Sequence, residues 1–242
     1  IAACGPLRVE RTGAGARVEG RLPRVPWGGV AEQLVLVADE ASAVIAIDLA
    51  ACEIVAAANM AGEPHADIVI ALDVGPDRVR GLPSDWSEDR LALTAAVFRA
   101  AQIAGALDTI CGLTISYASE RRQFKRPIGA FQAIQHHAAV LTGIATAAKV
   151  ASEAAASMPE SVLAVASAKA YVSQASGPAT MIAHQVHGAM GFTAEYRLQL
   201  LTRRVWSWRE EFGNEAYWGS RLGDELCEAG AARAWDLLSA AS

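Results

Sequence analysis

Short runs of Val and Ile separated by turn residues occupy the first eighty positions, and after them the apolar spacing lengthens to a helical period. Residues 33–38, 43–49, 52–58 and 67–74 are such runs. They recur about every ten residues, the spacing of an antiparallel sheet or small barrel joined by short hairpins. Gly13 to Gly15 reads as a hairpin tip between strands at 7–10 and 16–20. The run 43–49 is apolar except for Asp48, which predicts a strand covered on both faces.

Gly75-Pro76 and Gly81-Leu-Pro83 punctuate a linker, and from Ser84 the chain reads as helical. Ser87 followed by Glu88 and Asp89 is an N-cap with acidic residues in the first turn. That helix runs to about Arg122. A second starts near Ala130, its buried stripe marked by Ile134, Ala138, Leu141, Ile144, Ala148, Ala151 and Ala155. Met158-Pro-Glu-Ser161 ends it and caps a third helix, 162–187, in which Pro178 predicts a kink. Helices at 196–208 and 214–238 complete a bundle whose many small residues allow close contacts. The expected class is α+β: a small antiparallel β-domain over 1–83, then a C-terminal four-helix bundle over 84–242.

Composition narrows the possible functions. The 242 residues carry a net charge of −5, so no overall basic field invites nucleic acid. No apolar run of eighteen residues is free of charges, so no membrane span is expected. Cys4, Cys52, Cys111 and Cys227 are scattered, which suits reduced, mostly buried thiols in a cytoplasmic protein rather than a zinc site. His184 and His187 lie one turn apart, yet no carboxylate or cysteine is near them in sequence to complete a metal site. The chain opens Ile-Ala-Ala-Cys, which resembles neither an initiator region nor a signal peptide and reads as the interior of a longer protein.

Two segments carry the chemistry. The first is Glu120-Arg-Arg-Gln-Phe-Lys125, followed by Phe131-Gln-Ala-Ile134 at a helix start. The second, about fifty residues on, is Gln185-Val-His-Gly-Ala-Met-Gly-Phe192. Arginine offers a permanent charge and a planar fork suited to a pyrophosphate, and glycines let a backbone approach a phosphate or ribose. Taken together, in this order, the segments resemble those of the acyl-CoA dehydrogenase family.

The resemblance implies an N-terminal helical domain, a β-domain and a helical bundle, of which the last two match this chain. It implies FAD between β-domain and bundle, the adenosine diphosphate half reaching a neighbouring subunit of a tetramer. An acyl-CoA substrate and an electron-transfer flavoprotein or similar acceptor follow from the same likeness. Arg121 would hold the pyrophosphate, Phe124 would pack the adjacent turn, and Gln132, Gln185, Gly188 and Ala189 would contact the cofactor. Lys125 and Ala189 each replace a glycine of the family pattern, and Lys125 should bar a glycine-only backbone there. Trp27, in Arg24-Val-Pro-Trp-Gly28, would stack on the flavin, the alternative being core packing.

Desaturation of an acyl-CoA needs a carboxylate to take the α-proton. The two usual family positions correspond here to Phe212 and Ala95, neither of which can act. Glu211 is the remaining candidate; a solvated acidic pair with Glu210, balancing Arg203, Arg204 and Arg209, is the alternative. These departures point to a companion subunit lacking the base, in a heteromer like those of bacterial members acting on sterol side-chain CoA esters. A self-sufficient dehydrogenase and a flavin monooxygenase of the same fold are the other readings.

Overall fold

The structure, a computed structural model, describes residues 7–13, 15–230, 232–234 and 236. The chain divides into two compact units, Ile1–Ala95 and Ala96–Ser242, so the division falls inside the first long helix rather than in the 75–83 segment.

The first unit holds β1 (Leu7–Thr12), β2 (Gly15–Pro26), β3 (Gln33–Ala38), β4 (Ala43–Asp48), β5 (Glu53–Ala58), β6 (Pro64–Val74) and β7 (Val79–Gly81). They form two antiparallel sheets, ordered β1-β2-β6-β5 and β3-β4-β7. One core joins them: Val18 and Leu22 of β2, Ile68 and Ile70 of β6, Leu34 and Leu36 of β3, and Ile45 and Ile47 of β4. Period-two alternation puts these side chains on one face of each strand. Residue 14, at the expected hairpin tip, lies outside the described residues. In β4 only Ala43, Ile45 and Ile47 are buried, whereas Val44 and Ala46 are half-buried, so the strand is fully covered on one face rather than two. The expected linker contains β7, which pairs Val79 with Ile45. Three residues between Gly-Pro and Leu-Pro punctuation are too few to show an alternating pattern.

α1 (Glu88–Glu120) starts where expected. The Ser87 hydroxyl accepts from the Arg90 amide at 3.0 Å, and the Asp39 carboxylate accepts from the Glu88 amide. By length and composition alone α1 could cross a membrane; its Ile103, Leu107 and Ile110 are fully buried in the protein core. α2 (Gln132–Ser157) buries Leu141, Ala145, Ala148, Ser152 and Ala155; of the expected stripe Leu141, Ala148 and Ala155 are fully covered, while Ile134, Ala138, Ile144 and Ala151 are half-buried. α3 (Val162–His187) is capped by Ser161, whose hydroxyl accepts from the Ala164 amide at 3.2 Å.

Pro178 does not interrupt α3. Burial along most of the helix outweighs one lost N–H, and the Thr180 hydroxyl bonds back to the Ser176 carbonyl at 2.8 Å. The second unit closes with two shorter helices, α4 (Leu198–Glu210) and α5 (Glu215–Ala229). Gly230, at φ 78, ends α5, and residues 232–234 and 236 are helical again beyond it; the expected end at Leu238 lies outside the described residues. Of the thiols, only Cys111 is buried; Cys52 is half-buried, Cys227 is exposed, and Cys4 falls outside the described residues. The expectation of mostly buried cysteines therefore fails: Cys52 and Cys227 sit on partly solvated faces.

Candidate functional site

The connection from α1 to α2 is a miniature hairpin, β8 (Arg122–Gln123) against β9 (Arg126–Pro127). Its two-residue loop, Phe124 and Lys125, has φ of 50° and 68°. Two left-handed residues are what a tight two-residue hairpin demands. Lys125 therefore keeps the backbone shape that its side chain was expected to forbid. The strain is offset by the bonds closing the hairpin, including one from Arg122 Nη2 to the Lys125 carbonyl at 3.2 Å.

Arg121 is anchored by its backbone alone. Its N–H bonds Tyr117 O at 2.8 Å and its carbonyl accepts from Ile128 at 2.8 Å. The exposed guanidinium has no ion-pair partner among the described residues. Phe124 is 84% exposed, its ring edge-on to Phe131 at 6.0 Å, and Arg126 lies over the Phe131 ring at 4.0 Å. Gln132, also exposed, opens α2, whose N-cap Phe131 offers no side-chain acceptor to the helix's free amides. An uncapped helix N-terminus favours an anion.

An aromatic cluster ties this corner to the end of α3. Tyr117 stacks on His187 at 4.4 Å and donates its hydroxyl to the His187 carbonyl at 3.3 Å. His187 Nδ1 bonds Ala183 O at 2.7 Å and Nε2 meets the Tyr196 hydroxyl at 3.3 Å. Burial lowers the His187 pKa, so the ring is neutral near pH 7. Arg121 lies one helical turn past Tyr117, and Gly188 follows His187. Gln185, Gly188 and Ala189 thus share one end of the bundle with Arg121, Phe124 and Gln132.

Gly188 takes φ 60 at the C-cap of α3. Ala189 has no such demand, sitting in the 3-10 turn Gly188–Phe192 with a right-handed backbone. Gly191 is closely packed, a Cβ there lying 3.0 Å from His184 Nδ1, so that a side chain would push on its neighbours. A cleft of about 530 Å³ opens beside this turn, lined among others by Thr180, His184, Gln185, Gly188, Phe192 and Trp206. His184 stacks on Phe192 at 4.3 Å and its Nε2 meets Thr202 Oγ1 at 3.0 Å. Burial, then the neighbouring His187, lowers its pKa.

Glu211 lies elsewhere. Its carboxylate, 9% exposed, is paired with the guanidinium of Arg99 on α1. Arg99 is about 33 Å back along α1 from Arg121 at 1.5 Å per residue. Arg99 also lies over the Trp208 ring at 5.6 Å and the Phe212 ring at 5.8 Å. A solvated acidic pair is therefore wrong for Glu211, though it describes Glu210, which faces solvent near Arg209 and Asn214. Lys169, with no exposed surface, donates to Ser173 Oγ at 3.1 Å, Arg209 O at 2.9 Å and Gly213 O at 2.5 Å. Burial pulls its pKa down to about 7, with Glu210, Glu215 and Glu211 opposing that shift and Arg99 adding to it.

Arg99, Lys169, Tyr117 and Tyr196 were not singled out from the sequence. The signal available was a lone charge inside an apolar helical run, as at Arg99 and Lys169. Trp27 belongs to the β unit. It follows β2 at φ 61, donates its N–H to Pro64 O at 2.8 Å, and is half exposed rather than in the core.

A two-sheet β unit followed by a helical unit with a basic hairpin and a glycine turn at one end defines an acyl-CoA dehydrogenase-like protein. The chain belongs to the acyl-CoA dehydrogenase family: the family model for the acyl-CoA dehydrogenase C-terminal domain matches residues 91–226. It is similar to acyl-CoA dehydrogenase IpdE2 of Mycolicibacterium smegmatis, 38% identical over 128 residues, covering 52% of this chain and 41% of the relative. The IpdE2 of Mycobacterium tuberculosis is 37% identical over 115 residues, covering 48% and 36%. The chain thus spans about two fifths of the curated relatives it matches. In fold it resembles the ChsE4–ChsE5 complex of Mycobacterium tuberculosis, with TM-score 0.82, 24% identity, and 94% of this chain and 64% of that one covered. The glutaryl-CoA dehydrogenase–glutaryl-CoA complex is similar at TM-score 0.81, 22% identity, and 93% and 62% coverage.

Proposed function

We propose that this chain is the companion subunit of an FAD-dependent acyl-CoA dehydrogenase, serving a neighbour's cofactor while the partner supplies the catalytic base. The observation that carries this reading is the fate of Glu211. It is the nearest carboxylate to the usual base position, and it is buried against Arg99 while Phe212 and Ala95 hold the two usual positions. An ion-paired carboxylate facing a bundle interior is poorly placed to meet a substrate proton.

The donor set fits the adenosine diphosphate half of FAD. Arg121 presents an unpaired guanidinium, Gln132 and Gln185 present exposed amides, and Gly188 leaves open space above its backbone. Phe124 and Ala189 lie at the same end of the bundle and would contact the cofactor with them, and Trp27 is the β-unit residue we propose for the flavin. FAD, when bound, accepts the hydride that leaves the β-carbon of the acyl chain. The residues of this chain bind and orient; they hold no proton at the reacting carbon. The two-chain complex among the fold relatives supports a heteromer, and the name of the curated relatives supports an acyl-CoA substrate; an electron-transfer flavoprotein or similar acceptor completes the proposal.

The test is acyl-CoA-dependent reduction of a ferrocenium acceptor, measured with the full-length chain alone, with its related partner subunit, and with Glu211→Gln in each. Turnover only in the mixture, insensitive to Glu211→Gln, is expected. Turnover by the chain alone that Glu211→Gln abolishes would make Glu211 the base and the chain self-sufficient.

A further inference from the structure

The turn that stands at the family's base position is held by a buried polar cluster centred on the Lys169 ammonium. Phe212 and Gly213 have consecutive left-handed φ of 56° and 90°. For a residue as bulky as phenylalanine that conformation is an outlier and persists only where its surroundings over-determine it. Gly213 could carry no side chain, since a Cβ would fall 2.5 Å from Tyr217 Cδ1 and 2.7 Å from Trp218 Nε1.

Three restraints converge here. Lys169 bridges the two sides of the turn, donating to the carbonyls of Arg209 before it and Gly213 after it. The fully buried Trp218 donates its indole N–H to the Phe212 carbonyl at 2.8 Å. Glu211 is drawn toward α1 by Arg99. An ammonium has three protons, and Lys169 has three acceptors, Ser173 Oγ included, so none of its donors remains for a ligand.

We infer that Lys169 is a positioning residue: its ammonium pins the carbonyls of Arg209, before the Glu211–Gly213 turn, and Gly213, at its end, so that Phe212 keeps its left-handed conformation and Glu211 is held inward on Arg99. The consequence for turnover rests on the companion-subunit reading, in which this turn walls a site whose base comes from the partner. The geometry of the clamp does not rest on it.

The experiment uses the full-length chain assembled with its partner and FAD, at pH 6, with Lys169→Met and Lys169→Arg. The Trp218 indole N–H is followed in protein labelled with ¹⁵N at the indoles, with Trp218→Phe identifying the resonance. Lys169→Met should speed exchange of that N–H at least tenfold. Helical circular dichroism and FAD content should stay unchanged, and kcat should fall with little change in KM. Lys169→Arg should restore slow exchange in part. Exchange as slow in Lys169→Met as in the wild type would overturn the clamp. Faster exchange with unchanged kcat would overturn its link to the reaction. If Lys169→Met does not fold, the wild type still decides. An indole N–H exchanging as fast as the amides of the 193–197 loop would overturn the proposal, and one as slow as the α3 core would uphold it. Failure of the companion-subunit reading looks different: turnover by the chain alone, whatever the indole exchange.

Discussion

At the α1–α2 corner Arg121, one residue past α1, stands exposed with no carboxylate partner among the described residues, whereas about 33 Å back, within α1, Arg99 is buried on Glu211. Two arginines, one inside α1 and one just past its end, thus have opposite electrostatics. Around Arg121 the charges are left unpaired: Arg121, an uncapped helix N-terminus and exposed glutamines face outward. Around Arg99 each charge meets another charge or a carbonyl, with Lys169 bridging the turn. Unpaired donors gathered at a surface suit a ligand that arrives charged, and paired ones suit a fixed shape. The same sequence character, a basic residue near the family's functional positions, thus leaves a charge open to solvent at one place and fixes a shape at the other.

The comparison breaks first if Arg99 proves dispensable. Arg99→Met leaves the Glu211 carboxylate buried without its cation and should cost about 3–5 kcal/mol of unfolding free energy in urea. Replacing both partners, Arg99→Met with Glu211→Leu, should recover most of that loss. A single-variant cost below about 1 kcal/mol, the range of an exposed pair, would mean the two ends do not differ.

Lys169 sharpens the same contrast through pH. Its folded pKa of about 7 lies below the roughly 10.4 of a free lysine. Between those values the unfolded chain keeps a proton that the folded chain has released, so this group adds stability as pH rises from 7 toward 10. Below 7 both states are protonated and its contribution is flat. From pH 7 to 9, unfolding free energy of the wild type relative to Lys169→Met should rise by on the order of 2 kcal/mol. Parallel pH profiles for the two proteins would contradict the burial of this ammonium.

Much of the fold was legible because periodicity survives in single residues: the α2 stripe, the Ser161 cap and the start of α3 are local patterns. The misses were tertiary. β7 is visible only as a partner of β4, and Pro178 is tolerated because α3 is buried along most of its length. That Arg121, Gln132, Gln185 and Gly188 gather at one end of the bundle was legible because they are near neighbours in two short segments. The Arg99–Glu211 pair spans two helices far apart in sequence, and no local pattern announces it. Solvated charges were the natural reading of Glu210-Glu211, and only packing separates the exposed member from the buried one.

At the Arg121 end the expected effect is on ligand, not on fold. Arg121→Ala should leave the urea midpoint unchanged while weakening FAD affinity by about 1.5–3 kcal/mol, the loss of one charge-assisted contact. Titration below saturation, in the assembled heteromer, is the measurement. Equal FAD affinity in wild type and variant would remove Arg121 from the site.

The smallest effects come from the two glycines of the family pattern that this chain has replaced, and they should carry opposite signs. Lys125 sits at φ 68, a conformation that costs a side-chain-bearing residue about 1 kcal/mol and costs glycine little. Lys125→Gly should therefore stabilise the free chain by about 0.5–1 kcal/mol. Ala189 keeps a right-handed backbone in an exposed 3-10 turn, where glycine gains no relief and loses more conformational freedom on folding. Ala189→Gly should destabilise by about 0.5–1 kcal/mol. Paired urea curves decide it. If both substitutions move the midpoint in the same direction, backbone strain does not distinguish these positions. The left-handed hairpin at Phe124–Lys125 would then owe its shape to something other than the tight two-residue turn.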